Sequence, residues 1–303
     1  MYEGQIIRFL RKERRISQTL LAKDICSVRH LSNIEAGRSA VSYELVVQFM
    51  HRLETDISLF VNKDIQKYGL DLFKEFQELE YFFYNWDYIE LYESIKRVQK
   101  KYHFESFLGK KLTYYKAICI HEIFGDYKLA KEMLLEMLGN DSYDEIKKSL
   151  KYFKDQLDLN IINALCVNLS YSGYKSISLK LFIAVKDNLL KYNSLNTEFG
   201  IKTLYNIIKL QYDTHEFEKS LEAAKECVAI CEKNKQYRLL PDVYHYYALA
   251  KKNLEHMDYE IYYKKSLYLL KIFNYSVKVN YLMDSNKDEV YLDLDEDIFK
   301  PEV

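Results

Sequence analysis

The chain has 303 residues, and its 44 Lys and Arg nearly balance 45 Asp and Glu, for a net charge of −1. A globally basic nucleic-acid coat is excluded, so any DNA contact must be local. Hydrophobic residues at 49% exclude a disordered chain, and the longest stretch free of Asp, Glu, Lys and Arg, 159–174, carries three Asn and two Ser and is no membrane span. The start, Met1-Tyr2-Glu3-Gly4-Gln5, lacks a basic-then-apolar signal pattern, so a cytoplasmic protein is expected. Eight Gly and two Pro are about a quarter of the usual ~12% share. Sheets need turns and turns need those residues, so the expected fold is all-α. The 29 tyrosines fit half-exposed helix faces, burying a ring while the hydroxyl stays wet. The five cysteines are read as reduced thiols, since their number and spacing fit no disulfide framework.

Residues 1–40 hold eight basic side chains against Glu3, Glu13, Asp24 and Glu35, a local charge of +4. The remaining chain sums to −5. A basic end on an acidic body points to a polyanion partner for the end alone. Ile6, Ile7 and Leu10 repeat at helical spacing and predict a first helix. Ser17 fits as the N-cap of a second helix from Gln18 to about Ile25, and Ser27 as the N-cap of a third that ends near Gly37. On the third helix Val28, Leu31 and Ile34 form the apolar face, at about 100° per residue. The opposite direction falls between Arg29 and Asn33, flanked by His30 and Ser32. Arg forks onto guanine, Asn pairs with adenine, and Ser contacts either.

Ser17-Gln18-Thr19-Leu20-Leu21-Ala22, followed by Leu31-Ser32-Asn33-Ile34-Glu35-Ala36-Gly37, resembles the signature of the Xre (lambda-repressor-like) helix-turn-helix family. Ser42, Leu45, Val46 and Phe49 match that family's fourth helix, and 56–60 its fifth. The resemblance implies a five-helix DNA-binding domain over 1–62. Gln18 would contact a phosphate there, Arg29, His30 and Asn33 would face bases, and Ser27, Ser32 and Arg38 would complete the DNA-binding set. It also implies that Glu35 is structural. Residues 63–72, ending near Gly69, would form a linker helix.

Five segments beyond it carry a polar or small turn before an aromatic: Asn85 to Tyr88, Gly125 to Tyr127, Ser172 to Tyr174, His215 to Phe217 and His256 to Tyr259. Small residues follow at Ala130, Ser178 and Ser220, while Tyr262 takes that place in the last unit. This pattern is similar to tetratricopeptide-like (TPR) repeats, and implies a right-handed TPR-like α-solenoid over 73–284 with a groove suited to an extended peptide. Side-chain amides can serve both the N–H and C=O groups of such a backbone. Asn163 and Asn206 stand one repeat apart, with Asn168, Lys202, Tyr205, Lys209, Tyr247 and Lys251 as further groove candidates; solvated positions on amphipathic helices would look the same. Residues 285–303 hold seven acids against two lysines and are either a polar cap or a tail.

The two halves together resemble the RRNPP group of bacterial regulators, particularly its PlcR- and Rgg-type members. That resemblance implies a homodimer that binds double-stranded DNA with two half-sites about one helical turn, ~34 Å, apart or a multiple, under control of a short signalling peptide. A ligand-independent repressor whose repeats only dimerise, and a scaffold that sequesters another factor, are the alternative readings. No phosphate loop, dinucleotide fingerprint, zinc-protease or nucleophile-elbow motif occurs, and the seven histidines lack metal-ligand spacing. A non-enzyme without cofactor, metal or membrane partner is expected.

Overall fold

The computed structural model describes residues 2–55, 57–60, 62–104, 107–139, 143–150 and 156–273, and among these there are helices and connections but no strand. They fall into two compact units that divide between Met133 and Leu134. Residues 274–284 and the acidic segment 285–303 lie outside the described residues.

The first unit begins with α1 (Tyr2–Glu13), α2 (Gln18–Ala22), α3 (Val28–Glu35), α4 (Tyr43–Arg52) and α5 (Ile57–Phe60). Three serines start three of these helices. Ser17 Oγ accepts from Leu20 N at 3.1 Å, Ser27 Oγ from His30 N at 3.1 Å, and Ser42 Oγ from Leu45 N at 3.3 Å, which satisfies an otherwise orphaned donor in each first turn. The second helix is shorter than expected. Asp24 takes a left-handed φ of 60° and turns the chain, while Arg52 on α4 donates to the carbonyls of Leu21 and Lys23.

Helices α1, α2 and α3 share one buried polar knot. The Glu35 side chain is 3% exposed and accepts from Arg11 Nε at 2.6 Å, Arg11 Nη2 at 2.8 Å and Gln18 Nε2 at 2.8 Å. Burial alone would push this carboxyl up. The hydrogen bonds from Arg11 and Gln18, with the charges of Arg11 and Arg8, outweigh burial and hold it below its ordinary value. Gly4 lets α1 reach α3, because a Cβ there would lie 1.9 Å from the carbonyl oxygen of Ile34.

The same unit continues with α6 (Lys63–Tyr84), α7 (Tyr88–Lys101) and α8 (Phe107–Phe124). The expected linker is the start of α6, which Gly69 breaks with φ 69° and ψ −146°, a conformation only glycine reaches cheaply. α6 packs on α1 and α5 as well as on α7. The helix α9 (Tyr127–Leu138) runs across the division, and α10 (Tyr143–Ser149), α11 (Gln156–Tyr171), α12 (Lys175–Lys191), α13 (Glu198–Asp213), α14 (Phe217–Asn234), α15 (Leu240–Asn253) and α16 (Tyr259–Ile272) follow.

All five marked turns fall between paired helices, and each has a left-handed residue: Trp86, Gly125, Gly173, His215 and Glu255. The small residues sit at the crossings. Ser178 and Ser220 are fully buried, and their hydroxyls donate to the carbonyls of Cys166 at 2.6 Å and Ile208 at 3.0 Å, each twelve residues back. In the last pair Tyr262 is packed edge-on against Tyr247 with ring centroids 4.2 Å apart, and Ser266 makes the hydroxyl contact instead, to Pro241 O at 2.7 Å. Neighbouring first helices touch as well, α11 on α13 and α13 on α15. This is the stacking that repeats use to bury faces no single pair can cover. Cys119, Cys166, Cys227 and Cys231 are buried free thiols, whereas Cys26 is half-buried.

Two outcomes test this packing. Gly4→Ala should destabilise the α1–α3 region by about 1–3 kcal/mol, read as faster amide exchange there. Glu35→Ala should cost roughly 3 kcal/mol by leaving Arg11 unpaired in its site. A carboxylate with a lowered folded pKa contributes stability above its ordinary value of 4.5 and loses it as pH falls through the folded value. The parent should therefore show steeper acid destabilisation of α1–α3 below about pH 5 than Glu35→Gln.

Candidate functional site

On α3, Leu31 and Ile34 are buried and fix the roll of the helix, leaving Arg29 exposed and His30, Ser32 and Asn33 half-buried on the other side. Arg38 is exposed in the turn that follows, where Gly37 has a left-handed φ of 71°. Ser27 begins the helix with its hydroxyl oxygen committed as a cap. Two positions depart from the sequence reading. Val28 is 40% exposed and not part of the core face, because it lies at the margin of the apolar stripe that Leu31 and Ile34 centre. An apolar group at the start of this helix suits a thymine methyl. Gln18 points its Nε2 inward to Glu35 rather than outward as a phosphate donor.

The repeat candidates separate into two groups. Asn163 on α11 and Asn206 on α13 are 3% and 9% exposed, and Asn206 Nδ2 donates to Asn163 Oδ1 at 3.3 Å. The buried Nδ2 of Asn163 has no partner among the described residues. Lys209 donates to Tyr171 Oη at 3.2 Å and lies over its ring. Asn206, Lys209 and Tyr171 line a cavity of about 320 Å³ together with the polar residues Ser170, Lys175 and Asp213, while Asn163 reaches it only through Asn206. Tyr205 packs on Tyr246 with centroids 5.9 Å apart, and Lys202 on the preceding turn is exposed. Crowding by the surrounding atoms, and then the positive charge of Arg238, lower the Lys202 pKa against the pull of Glu198.

The second group sits inside the packing. Asn168 is 1% exposed within α11. Tyr247 and Lys251 are buried, with the Lys251 ammonium hydrogen-bonded to Asp258 and set over the rings of Tyr247 and Tyr262. The groove role expected of Lys251 is replaced by a structural one, since its charge closes α15 onto α16. Asp258, seven residues on, is the partner that helical spacing alone did not single out.

No helix of the described residues is long and apolar enough to cross a membrane. The profile of the RNPP family C-terminal domain matches residues 76–293, and that of a helix-turn-helix domain matches residues 7–60. No curated protein matches the chain. Among solved structures, PlcR of Bacillus thuringiensis in complex with the peptide PapR7 and DNA is similar, at 20% identity and a TM-score of 0.64, over 93% of this chain and 99% of that one. Its apo form is similar at 19% identity and a TM-score of 0.61, over 93% and 98%. Identity this low speaks to the fold, while the profile match spans most of the chain. The chain belongs to the RNPP family, with a helix-turn-helix domain ahead of the RNPP C-terminal domain.

Proposed function

We propose that this protein is a cytoplasmic, homodimeric transcription regulator of quorum-sensing type, whose hold on DNA is set by a short signalling peptide bound in its repeat domain. It works by binding two partners and not by catalysis. One observation carries the reading: an RNPP chain that turns Arg29 and Asn33 outward on a capped helix also sets Asn206, paired to Asn163, in the wall of a cavity that Lys175, Lys209 and Asp213 share with apolar side chains.

The basic end supplies the general attraction. Arg29 and Arg38 are exposed on the outer face, where phosphates and base edges of a major groove would lie. The solved relative whose fold this chain shares was captured with both peptide and DNA, which supports the same pair of partners here. For control to work, the peptide must bind one arrangement of the dimer better than another, because equal affinity for both shifts nothing.

Arg29→Ala should reduce discrimination at one base pair by about 1–3 kcal/mol. Titrating the full chain against selected and scrambled duplexes at several salt concentrations measures this; equal binding of both duplexes by parent and variant would overturn the DNA-reading assignment. Asn206→Ala, which removes one half of the amide pair, should weaken peptide binding roughly tenfold or more. Calorimetry with short peptides secreted by the host reads that effect, and a peptide affinity untouched by the change would move the binding site elsewhere.

A further inference from the structure

Asn33 and Arg38 are not independent readers. Arg38 Nε donates to Asn33 Oδ1 at 3.1 Å. The carbonyl of Asn33 also accepts from Arg38 N at 2.8 Å and from Ser39 N at 3.3 Å, so one residue of α3 anchors the whole turn behind Gly37. A guanidinium only donates, which fixes the amide with its oxygen toward Arg38 and its NH₂ away. To pair with adenine, Asn33 would offer Nδ2 to N7 and take a hydrogen bond on Oδ1 from the N6 amino group. Arg38 already occupies one of that oxygen's two lone pairs, so an adenine amino group would have to share it with a guanidinium.

The terminal Nη1 and Nη2 of Arg38 have no acceptor among the described residues. They stand on an exposed side chain beside the outward face of the recognition helix, at the level of Asn33. A fork of two parallel N–H groups there matches the O6 and N7 acceptors of guanine.

We infer that Asn33 is a positioning residue for Arg38, and that the two side chains together read a single guanine in the operator. This rests on the DNA-reading role proposed above. It replaces the direct contact between Asn33 and adenine with a buttressed arginine, whose reach is set from the helix rather than by its own flexible stem. Holding the guanidinium before contact lowers the ordering cost of a long side chain.

The test is a selection from random-sequence duplexes with the full chain, run with and without the host's secreted peptide fraction. The parent should enrich sites containing a fixed guanine that Arg38→Ala loses, by roughly tenfold in preference. Asn33→Ala should lose preference at that same position, and the double variant should be no worse than Arg38→Ala alone. Asn33→Asp keeps an acceptor for Nε and should retain the guanine, which a merely structural role or a direct amide–adenine contact would not predict. Loss at an A·T position in Asn33→Ala with the guanine intact overturns the pairing. So do losses that multiply in the double variant, or uniform weakening that changes no position. A parent that enriches no sequence under either condition overturns the DNA-reading role itself, and the pairing with it.

Discussion

A carboxylate taken almost wholly out of water governs the N-terminal domain. Glu35 stays ionised inside the protein only because Arg11 presents a two-pronged donor and Gln18 a third hydrogen bond. Those partners come from α1 and α2, so the full set of hydrogen bonds forms only when all three helices are in place. Glu35 closes the last turn of α3, and fixing that end fixes the roll of the helix about its axis. Together with the buried Leu31 and Ile34 it holds Arg29 and Asn33 on the outward side. Gly4 belongs to the same arrangement, since any side chain there would hold α1 away from the backbone of α3.

The repeat domain is held by a different device. In three of the helix pairs serine does more than leave room: the hydroxyls of Ser178, Ser220 and Ser266 tie to a carbonyl in the partner helix. That contact uses an acceptor already engaged in the helix, through its second lone pair, and so leaves no buried group unmatched. Large amphipathic rings fill the space between crossings. The amide pair of Asn163 and Asn206 differs from these crossings, because the buried Nδ2 of Asn163 keeps hydrogen-bonding capacity that no described residue takes up, as do Gln211 Oε1 and His245 Nδ1.

What was legible in the sequence was local. Ser17, Ser27 and Ser42 could be assigned as caps because capping chemistry acts over three residues. The paired turns could be found because each joins a helix end to an aromatic a few residues later. The misplaced features depend on partners or edges that spacing does not encode. Gln18 turns inward to a carboxylate seventeen residues away. Val28 lies at the margin of the apolar stripe, where a few degrees of helix roll decide between core and solvent. Position on a first helix points Lys251 to the groove, yet Asp258 and two tyrosine rings claim it. The bond between Asn33 and Arg38 crosses a helix end, where 3.6-residue periodicity stops being a guide.

Three of the five left-handed turn residues are Trp86, His215 and Glu255, side chains that pay about 1–2 kcal/mol for a conformation glycine adopts freely. Packing of the flanking helices therefore dictates the bend, and the residue at its apex merely complies. An architecture stored in tertiary contacts rather than in signature letters leaves its lineage free to rewrite the letters. A similar fold at one shared residue in five, matched over 93% of this chain, is what such indifference permits.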